Sequence, residues 1–436
     1  MSEAHDTTSP DLDSWLDVAP ESDFPIQNLP FGVFVRDRET AGRIGTAIGD
    51  RILDLRAMAE SGLLDDICDR RLLQRQRLNA LFARGRETVS ALRRRISQLL
   101  RRDGDPALRL ANADFFFVRR EDARMMMPVE VGDYVDFYSS LEHATNLGRL
   151  FRPDAEPLLP NWRWLPIGYH GRSATIVVDG TPIVRPSGQR KPKDAPVPTF
   201  GPSNMLDIEL EVGFVIGRGN ALGAPIPVAG ALDHIAGFVL VNDWSARDVQ
   251  AWEYQPLGPF LGKSFATTIS PWVVTIDALE PFRIASPAQQ PAPLAYLRAE
   301  QPGGFDIRLA VELQTARMRD EGIAAHTISR TNFGGMYWNA AQQLAHATAN
   351  GARTRAGDLF ASGTISGPTP DSYGSLIELT WRGERPIELP NGEQRAFLAD
   401  GDEITLRGWC EKRGVRRIGF GVARGRIEPA TRPADE

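Results

Sequence analysis

The sequence predicts a mainly β protein of the α+β class, with a small β-rich N-terminal domain carrying a helical insertion and a larger β domain after it. Three observations predict this class. A chain of 436 residues with 42% hydrophobic content can bury more than one core. Residues 57–102 place apolar side chains at helical spacing. From about residue 127, short apolar runs alternate with glycine and proline nearly to the end.

The first domain is predicted over residues 24–122, behind an N-terminal tail. Residues 1–23 contain seven acidic residues and no Lys or Arg, and we predict a disordered acidic tail. Strands are predicted at 31–35, 43–48 and 52–55. The helical stretch that follows contains an arginine cluster, which we interpret as a solvated helix face: Arg93, Arg94, Arg95, Arg101 and Arg102.

The second domain is predicted over residues 123–430. Its strands are expected at 175–178, 237–241, 272–276, 307–313, 376–381 and 403–408, with one helix at 332–350. Within it, the segment 206–214 alternates aliphatic residues with Asp207, Glu209 and Glu211, so the carboxylates share one face of a predicted strand. Buried like charges repel each other, and a hard cation such as calcium or magnesium removes the repulsion. A solvated outer face is the other interpretation.

The composition restricts the partners that we expect. A net charge of −6 argues against nucleic acid and anionic membranes. Two cysteines are too few for a disulfide framework, and no apolar run approaches the roughly 18 residues that span a bilayer. The acidic N-terminus is the reverse of a secretory or mitochondrial signal. We therefore expect a cytoplasmic protein that binds neither nucleic acid nor membrane.

Four further segments carry candidate chemistry. Residues 133–146 place His143 among aromatic and hydroxyl side chains, and the apolar strand at 237–241 runs into a polar segment. Residues 259–269 include Lys263, whose apolar flanks indicate burial, and the loop 361–367 offers backbone amides and hydroxyls. Neither a phosphate loop, a dinucleotide fingerprint nor a G-x-S-x-G elbow is present.

These segments resemble the fumarylacetoacetate hydrolase family, from about residue 24 to about residue 427. The matching motifs lie at 132–140, 158–162, 168–172, 242–248, 252–274 and 361–367. The resemblance implies a small SH3-like barrel, then a mixed β-roll catalytic domain of the fumarylacetoacetase type that forms a homodimer. It also implies metal-dependent hydrolysis of the carbon–carbon bond of fumarylacetoacetate to fumarate and acetoacetate, the last step of tyrosine degradation.

The resemblance further implies a metal centre. Four carboxylates match the family's ligands for Ca²⁺ or Mg²⁺: Asp136, Glu209, Glu211 and Asp243. All four are oxygen donors, as a hard cation requires. Lys263 and Thr267 match a second, structural cation site beside Asp243.

Catalytic and substrate-binding residues are implied in the same way. His143 matches the general base that activates water, and Glu378 matches the carboxylate that orients it. Arg247, Gln250 and Lys263 match groups that hold the charge developing on the attacked carbonyl oxygen. The positions that match substrate contacts are Tyr138, Arg152, Tyr169, Gln250, Tyr254 and Thr364.

Two other functions compete with this one. The first is a related acylpyruvate or diketone hydrolase with a different acyl pocket. The second is a non-catalytic metal-binding relative. The presence of His143, Glu378, Arg247, Gln250 and Lys263 argues against the second, since such a relative has no reason to keep them all.

Overall fold

The N-terminal domain contains a five-stranded antiparallel sheet. In the computed structural model, residues 7–37, 39–111, 113–299 and 301–431 are described. The strands are β1 (Phe31–Arg36), β2 (Arg43–Ile48), β3 (Arg51–Asp54), β4 (Phe117–Arg119) and β5 (Ala123–Met126). They lie in the order β4-β3-β2-β1-β5. The three strands predicted in this region are confirmed.

Helices connect β3 to β4, as the spacing of apolar residues predicts. They are α1 (Leu55–Glu60), α2 (Arg70–Leu73), α3 (Asn79–Phe82), α4 (Arg86–Leu100) and α5 (Ala107–Leu110). The longest, α4, buries Leu92, Ile96 and Leu99 in the core that it shares with the sheet. The helical insertion therefore supplies much of the core of a small domain.

Residues 7–23 pack against this domain, so the prediction of disorder is wrong for this part of the tail. Trp15 donates its ring N–H to the carbonyl of Leu99 (2.9 Å), and Ser14 donates its hydroxyl to the carbonyl of Leu100 (3.0 Å). The last carbonyls of a helix have no partner within it, and the tail satisfies two of them. Residues 1–6 of the predicted tail lie outside the described residues.

Arg93 is fully buried, so the interpretation of the arginine cluster as a solvated face is wrong at this position. Its guanidinium donates to the backbone carbonyls of Gln27 and Asn28, and its Nε donates to the hydroxyl of Thr7 (3.0 Å). Burial lowers the pKa of Arg93 to about 10, which leaves it charged at neutral pH. A single guanidinium thus joins α4 to the chain that leads into β1.

The larger domain contains two main sheets and several short hairpins. Its strands are β6 (Tyr134–Phe137), β7 (Gly168–His170), β8 (Ile176–Val178), β9 (Ile183–Val184), β10 (Ser187–Arg190), β11 (Thr199–Pro202), β12 (Leu206–Asp207), β13 (Leu210–Ile216), β14 (Ile235–Asn242), β15 (Ser245–Ala246), β16 (Thr267–Ile269), β17 (Val274–Thr275), β18 (Arg283–Ile284), β19 (Gly304–Phe305), β20 (Arg308–Gln314), β21 (His326–Asn332), β22 (Leu359–Ala361), β23 (Ile387–Glu388), β24 (Gln394–Arg395), β25 (Glu403–Lys412) and β26 (Val415–Glu428). Its helices are α6 (Leu141–Phe151), α7 (Arg247–Glu253), α8 (Ile276–Leu279), α9 (Ala316–Asp320), α10 (Ala340–Thr348) and α11 (Leu376–Leu379).

The first main sheet, ordered β7-β6-β22-β13-β14-β16-β8 with β17 paired to β14, is covered on both faces. Phe214 and Phe238 face the second sheet, ordered β21-β20-β25-β26-β9, and share a core with its Leu406. On the other face, Val215 and Val239 pack in the core of the N-terminal domain. The interpretation of the acidic segment as a solvated strand face is therefore wrong.

Three predicted elements of the larger domain differ from the structure. The segment 206–214 is divided into β12 and β13, with a break at Ile208 and Glu209. The segment 376–381, predicted as a strand, begins with α11, because the carboxylate of Asp207 accepts hydrogen bonds from the first two amides of that helix. The predicted helix at 332–350 is shorter and starts at the cap residue Asn339.

The mainly β, α+β class is confirmed by the strands and sheets of both domains. In the parts of the chain that are described, no helix combines the length and the apolar character needed to cross a membrane.

Arg93→Met should lower the free energy of unfolding by about 1–3 kcal/mol, because it leaves buried carbonyls without a donor. Chemical denaturation measures this change. Arg102→Met is the matched control, since Arg102 lies two residues after the end of the same helix but is 66% exposed in its ion pair with Asp13. Its change should stay below about 1 kcal/mol. Equal losses for the two variants would contradict the role assigned to Arg93.

Candidate active site

A cavity of about 420 Å³ opens at one end of the first main sheet. Asp136 reaches it from the end of β6, and His143 reaches it from the first turn of α6, where Ser140 caps the helix. Arg247 and Gln250 lie on α7, and Lys263 lies on the loop before β16. The topology therefore brings together residues that are more than 120 positions apart in the sequence.

Four buried carboxylates form a cluster beside this cavity: Asp136, Glu209, Glu211 and Asp243. One oxygen from each lies within 4.8 Å of the others. They meet because β22 pairs with both β6 and β13, while Asp243 directly follows β14, the other neighbour of β13. The sequence analysis predicted these four residues as one group, and the structure brings them together.

The cluster fits a divalent cation. Among the described residues, Asp136 Oδ1 and Glu211 Oε1 are buried without a hydrogen-bond donor. Such oxygens are costly to bury unless a cation or a donor meets them. Carboxylate oxygens are the ligands that hard cations such as calcium and magnesium prefer. The cluster can therefore hold a hard metal ion.

The electrostatic environment differs among the four carboxylates. Burial and then the neighbouring carboxylates raise the pKa of Asp136 and of Glu211 well above the ordinary range. Burial also raises the pKa of Glu209, but the charges of Lys263 and Arg247 outweigh it and the net shift is downward. Glu209 and Asp243 are thus paired with protein cations, whereas Asp136 and Glu211 form no such ion pair among the described residues.

Lys263 is central to this compensation. Its Nζ donates to Glu209 Oε2 (2.5 Å) and to Asp243 Oδ2 (2.9 Å), while Thr267 donates its hydroxyl to Asp243 Oδ1 (2.7 Å). Although burial lowers the pKa of Lys263, its acidic partners raise it overall, so the group stays protonated. A protonated Nζ has no lone pair for a metal. The predicted second cation site beside Asp243 would therefore have to use atoms other than this one.

His143 forms a buried pair with Glu378 on α11. The distance from His143 Nδ1 to Glu378 Oε2 is 2.7 Å. Three more side chains donate to the same carboxylate: Asn146 (3.0 Å), Ser366 (2.9 Å) and Ser375 (2.6 Å). Burial opposes ionisation of Glu378, yet His143 and these donors hold its pKa below the ordinary value. The carboxylate is thus kept anionic and fixed in one orientation.

The sequence analysis missed these three donors. Asn146 lies one helical turn after His143, and this spacing could have identified it. Ser375 lies three positions before Glu378, the spacing of a capping box, and this could have identified it as well. Ser366 lies in the loop 361–367 that the sequence analysis singled out, but nothing local indicated Glu378 as its partner.

The six predicted substrate contacts all line the cavity: Tyr138, Arg152, Tyr169, Gln250, Tyr254 and Thr364. Arg152 donates one N–H to the carbonyl of Pro157 (2.7 Å), and the ring of Tyr138 packs edge-on against His143. Among the described residues, the buried hydroxyl of Thr364 has no hydrogen-bond partner. The sequence analysis did not single out the apolar part of the wall, which includes Leu147, Phe151, Ile167 and Leu257.

The fold is one that is found among solved structures. The chain superimposes on a fumarylacetoacetate hydrolase from Exiguobacterium antarcticum with a TM-score of 0.52, at 17% sequence identity, over 92% of this chain and 99% of that one. A likeness at this identity shows a shared fold.

The sequence comparisons are closer. Family models for the fumarylacetoacetase N-terminal domain and the fumarylacetoacetate hydrolase C-terminal domain match residues 27–128 and 134–428. The chain is 50% identical to a fumarylacetoacetase of Caenorhabditis elegans, over 96% of this chain and 100% of the relative. It is 48% identical to a fumarylacetoacetase of Homo sapiens, over 97% and 100%. The chain belongs to the fumarylacetoacetase family, and the resemblance found in the sequence is confirmed.

Ca²⁺ or Mg²⁺ should raise the melting temperature of the protein after exhaustive chelation. A ligand present at a hundredfold excess over its Kd, and bound only by the folded state, stabilises by about 2.7 kcal/mol. Glu211→Gln should lose most of this shift. Asp402→Asn, which changes a fully buried carboxylate paired with Arg395, should keep it. Equal cation-dependent shifts in the two variants, measured by scanning calorimetry, would refute the site.

Proposed function

We propose that this protein is a hydrolase that cleaves fumarylacetoacetate to fumarate and acetoacetate, the last step of tyrosine degradation. The observation that carries the proposal is the pair of His143 and Glu378, because its histidine lines the same cavity as Arg152 and two members of the carboxylate cluster, Asp136 and Glu209. The names and high identity of the relatives support the same reaction. We also propose that the enzyme is a homodimer, as the family resemblance implies, and that it acts in the cytoplasm.

His143 is the proposed base. Its Nδ1 faces the anionic Glu378, so this nitrogen carries the proton and Nε2 keeps its lone pair. His143 lines the cavity, where Nε2 can take a proton from a water molecule. Glu378 then stabilises the imidazolium that forms.

The reaction divides into two halves. Hydroxide formed at His143 adds to the carbonyl carbon on the fumaryl side of the diketone. The bond between this carbon and the acetoacetate carbon then breaks, and its electron pair leaves as the acetoacetate enolate. The imidazolium of His143 can return its proton to that carbon, so atoms and charge balance without a covalent enzyme intermediate.

Asp136, Glu209, Glu211 and Asp243 are the proposed ligands of a Ca²⁺ or Mg²⁺ ion. When bound, this ion supplies a Lewis acid for the oxygens of the diketone. Arg247, Gln250 and Lys263 are proposed to hold the charge on the attacked carbonyl oxygen. Arg247 is suited to this role because, within the described residues, its buried Nη2 has no partner.

Arg152 and the apolar wall account for the proposed choice of substrate. Fumarylacetoacetate is a long chain with a carboxylate at each end. The planar guanidinium of Arg152 can form two parallel hydrogen bonds with one of them. Tyr169 and Tyr254 line the cavity with aromatic rings and hydroxyls, and Leu147 and Ile167 offer apolar contact to the carbon chain.

His143→Ala should lower the rate of fumarylacetoacetate hydrolysis by on the order of 10²–10⁴, the usual contribution of a positioned base. Glu378→Gln should lose activity by the same route, so the double variant should be little worse than either single one. A spectrophotometric assay of substrate loss measures all three. His346→Ala is the control, since this histidine pairs with Tyr296 and does not line the cavity. Losses that multiply in the double variant would show that the two residues do not act as one unit.

Arg152→Met should weaken substrate binding by roughly 1.5–3 kcal/mol, the typical contribution of a hydrogen bond to a charged group. Most of the loss should disappear for a diketone that lacks the terminal carboxylate, because the lost partner is then absent. Arg149→Met, an exposed change on the same helix, should leave KM unaltered for both substrates. A wild-type enzyme that prefers acetylpyruvate would instead favour the acylpyruvate hydrolase alternative.

A further inference from the structure

Asp207 is a buried carboxylate that has no part in the reaction described so far. Asp207, Glu209 and Glu211 occupy alternate positions in the sequence, yet Asp207 lies outside the four-carboxylate cluster. Its side chain is fully buried. Four donors surround its two oxygens, and they come from three separate parts of the chain.

The first partner of Asp207 is Arg247. Asp207 Oδ2 accepts a hydrogen bond from Arg247 Nε at 2.7 Å. At the far end of the guanidinium, Nη1 forms an ion pair with Glu209 Oε1 (2.8 Å) and donates to Gln250 Oε1 (3.2 Å). With these atoms engaged, Nη2 is the nitrogen left for a substrate oxygen. Asp207 therefore determines which edge of Arg247 faces the cavity.

The other partners of Asp207 are at the start of α11. Its Oδ1 accepts from the backbone N–H of Leu376 (2.6 Å), and its Oδ2 accepts from that of Ile377 (3.1 Å). The residue that would ordinarily cap this helix is Ser375, but its hydroxyl donates to Glu378 instead. Asp207 thus supplies the helix cap from a distant strand and leaves Ser375 free to hold Glu378.

We propose that Asp207 is a positioning residue that fixes Arg247 and the Glu378-bearing helix α11 relative to each other. Its contact with Arg247 positions the guanidinium that donates to the carbonyl oxygen of the substrate. Its contacts with α11 position Glu378, the carboxylate that orients His143. The role rests on the proposed function. An amide cannot replace the carboxylate, because all four neighbours are donors and the NH₂ group of asparagine would face at least one of them.

The test compares kcat and KM for fumarylacetoacetate in wild type, Asp207→Asn and a control. Asp207→Asn should lower kcat by about 10–100-fold, as expected when one stabilising donor is displaced, and should change KM by less than about threefold. Asp54→Asn is the control. Asp54 is also fully buried, accepts from two arginines and caps helix α1, but it lies in the N-terminal domain away from the cavity. Its variant should keep the kcat of the folded protein.

Double variants separate positioning from simple destabilisation. Asp207 acts through both Arg247 and the helix that carries Glu378, so each background removes one of the two routes. The loss of kcat caused by Asp207→Asn should therefore be smaller in the Arg247→Met and Glu378→Gln backgrounds than in wild type. Losses that multiply in full in both backgrounds, or equal kcat values for Asp207→Asn and Asp54→Asn, would overturn the proposal.

Arg247→Lys tests the same contact if Asp207→Asn does not fold. It keeps the charge, but a single ammonium cannot hold Asp207 and reach the cavity together. Its kcat should fall to within about threefold of that of Arg247→Met, and retention of half the wild-type kcat would overturn the proposal. Wild-type turnover is the separate test of the proposed function: a wild type inactive on fumarylacetoacetate refutes that function.

Discussion

The burial of four carboxylates at one point is the constraint on which the rest of this structure depends. Desolvation and mutual repulsion both oppose their ionisation. Lys263 and Arg247 contact Glu209, and Lys263 also contacts Asp243. Asp136 and Glu211 have raised pKa values and oxygens that no described donor meets. The protein cations therefore fix one side of the cluster in its ionised form, and a divalent ion would complete the other side. This division fixes Glu209 and Asp243 and leaves one oxygen each of Asp136 and Glu211 for a cation.

The same constraint explains why the carboxylate strand is covered on both faces. A carboxylate cluster that water could enter would lose the low dielectric that makes its interactions strong. The second main sheet covers one face of β13 and β14, and the N-terminal domain covers the other. Ion pairs of Arg86 with Asp277 and Glu280 reinforce the contact between the domains. The small domain thus covers the site, although none of its described residues lines the cavity.

The features that the sequence predicts are those produced by residues close together in the chain. Alternation along a strand and clusters of polar residues are local signals, so the strands and the members of the carboxylate cluster could be predicted from the sequence. The cap that the helix at 376 uses could not be predicted, because it is Asp207, 169 positions away. The burial of Arg93 was not predicted for the same reason, because the carbonyls of Gln27 and Asn28 that it contacts are 66 and 65 positions away in the sequence. Periodicity reports which face a residue occupies, but it does not report what covers that face.

The segment 206–211 shows how one local pattern can serve two purposes. Had the strand continued without interruption, Asp207, Glu209 and Glu211 would have pointed into a single cluster with a still larger repulsion. The break between β12 and β13 separates Asp207 from the other two. Asp207 meets backbone amides and Arg247, whereas Glu209 and Glu211 meet the other carboxylates. Because of this two-residue interruption, Asp207 connects the carboxylate cluster, through Arg247 and α11, to the pair formed by His143 and Glu378.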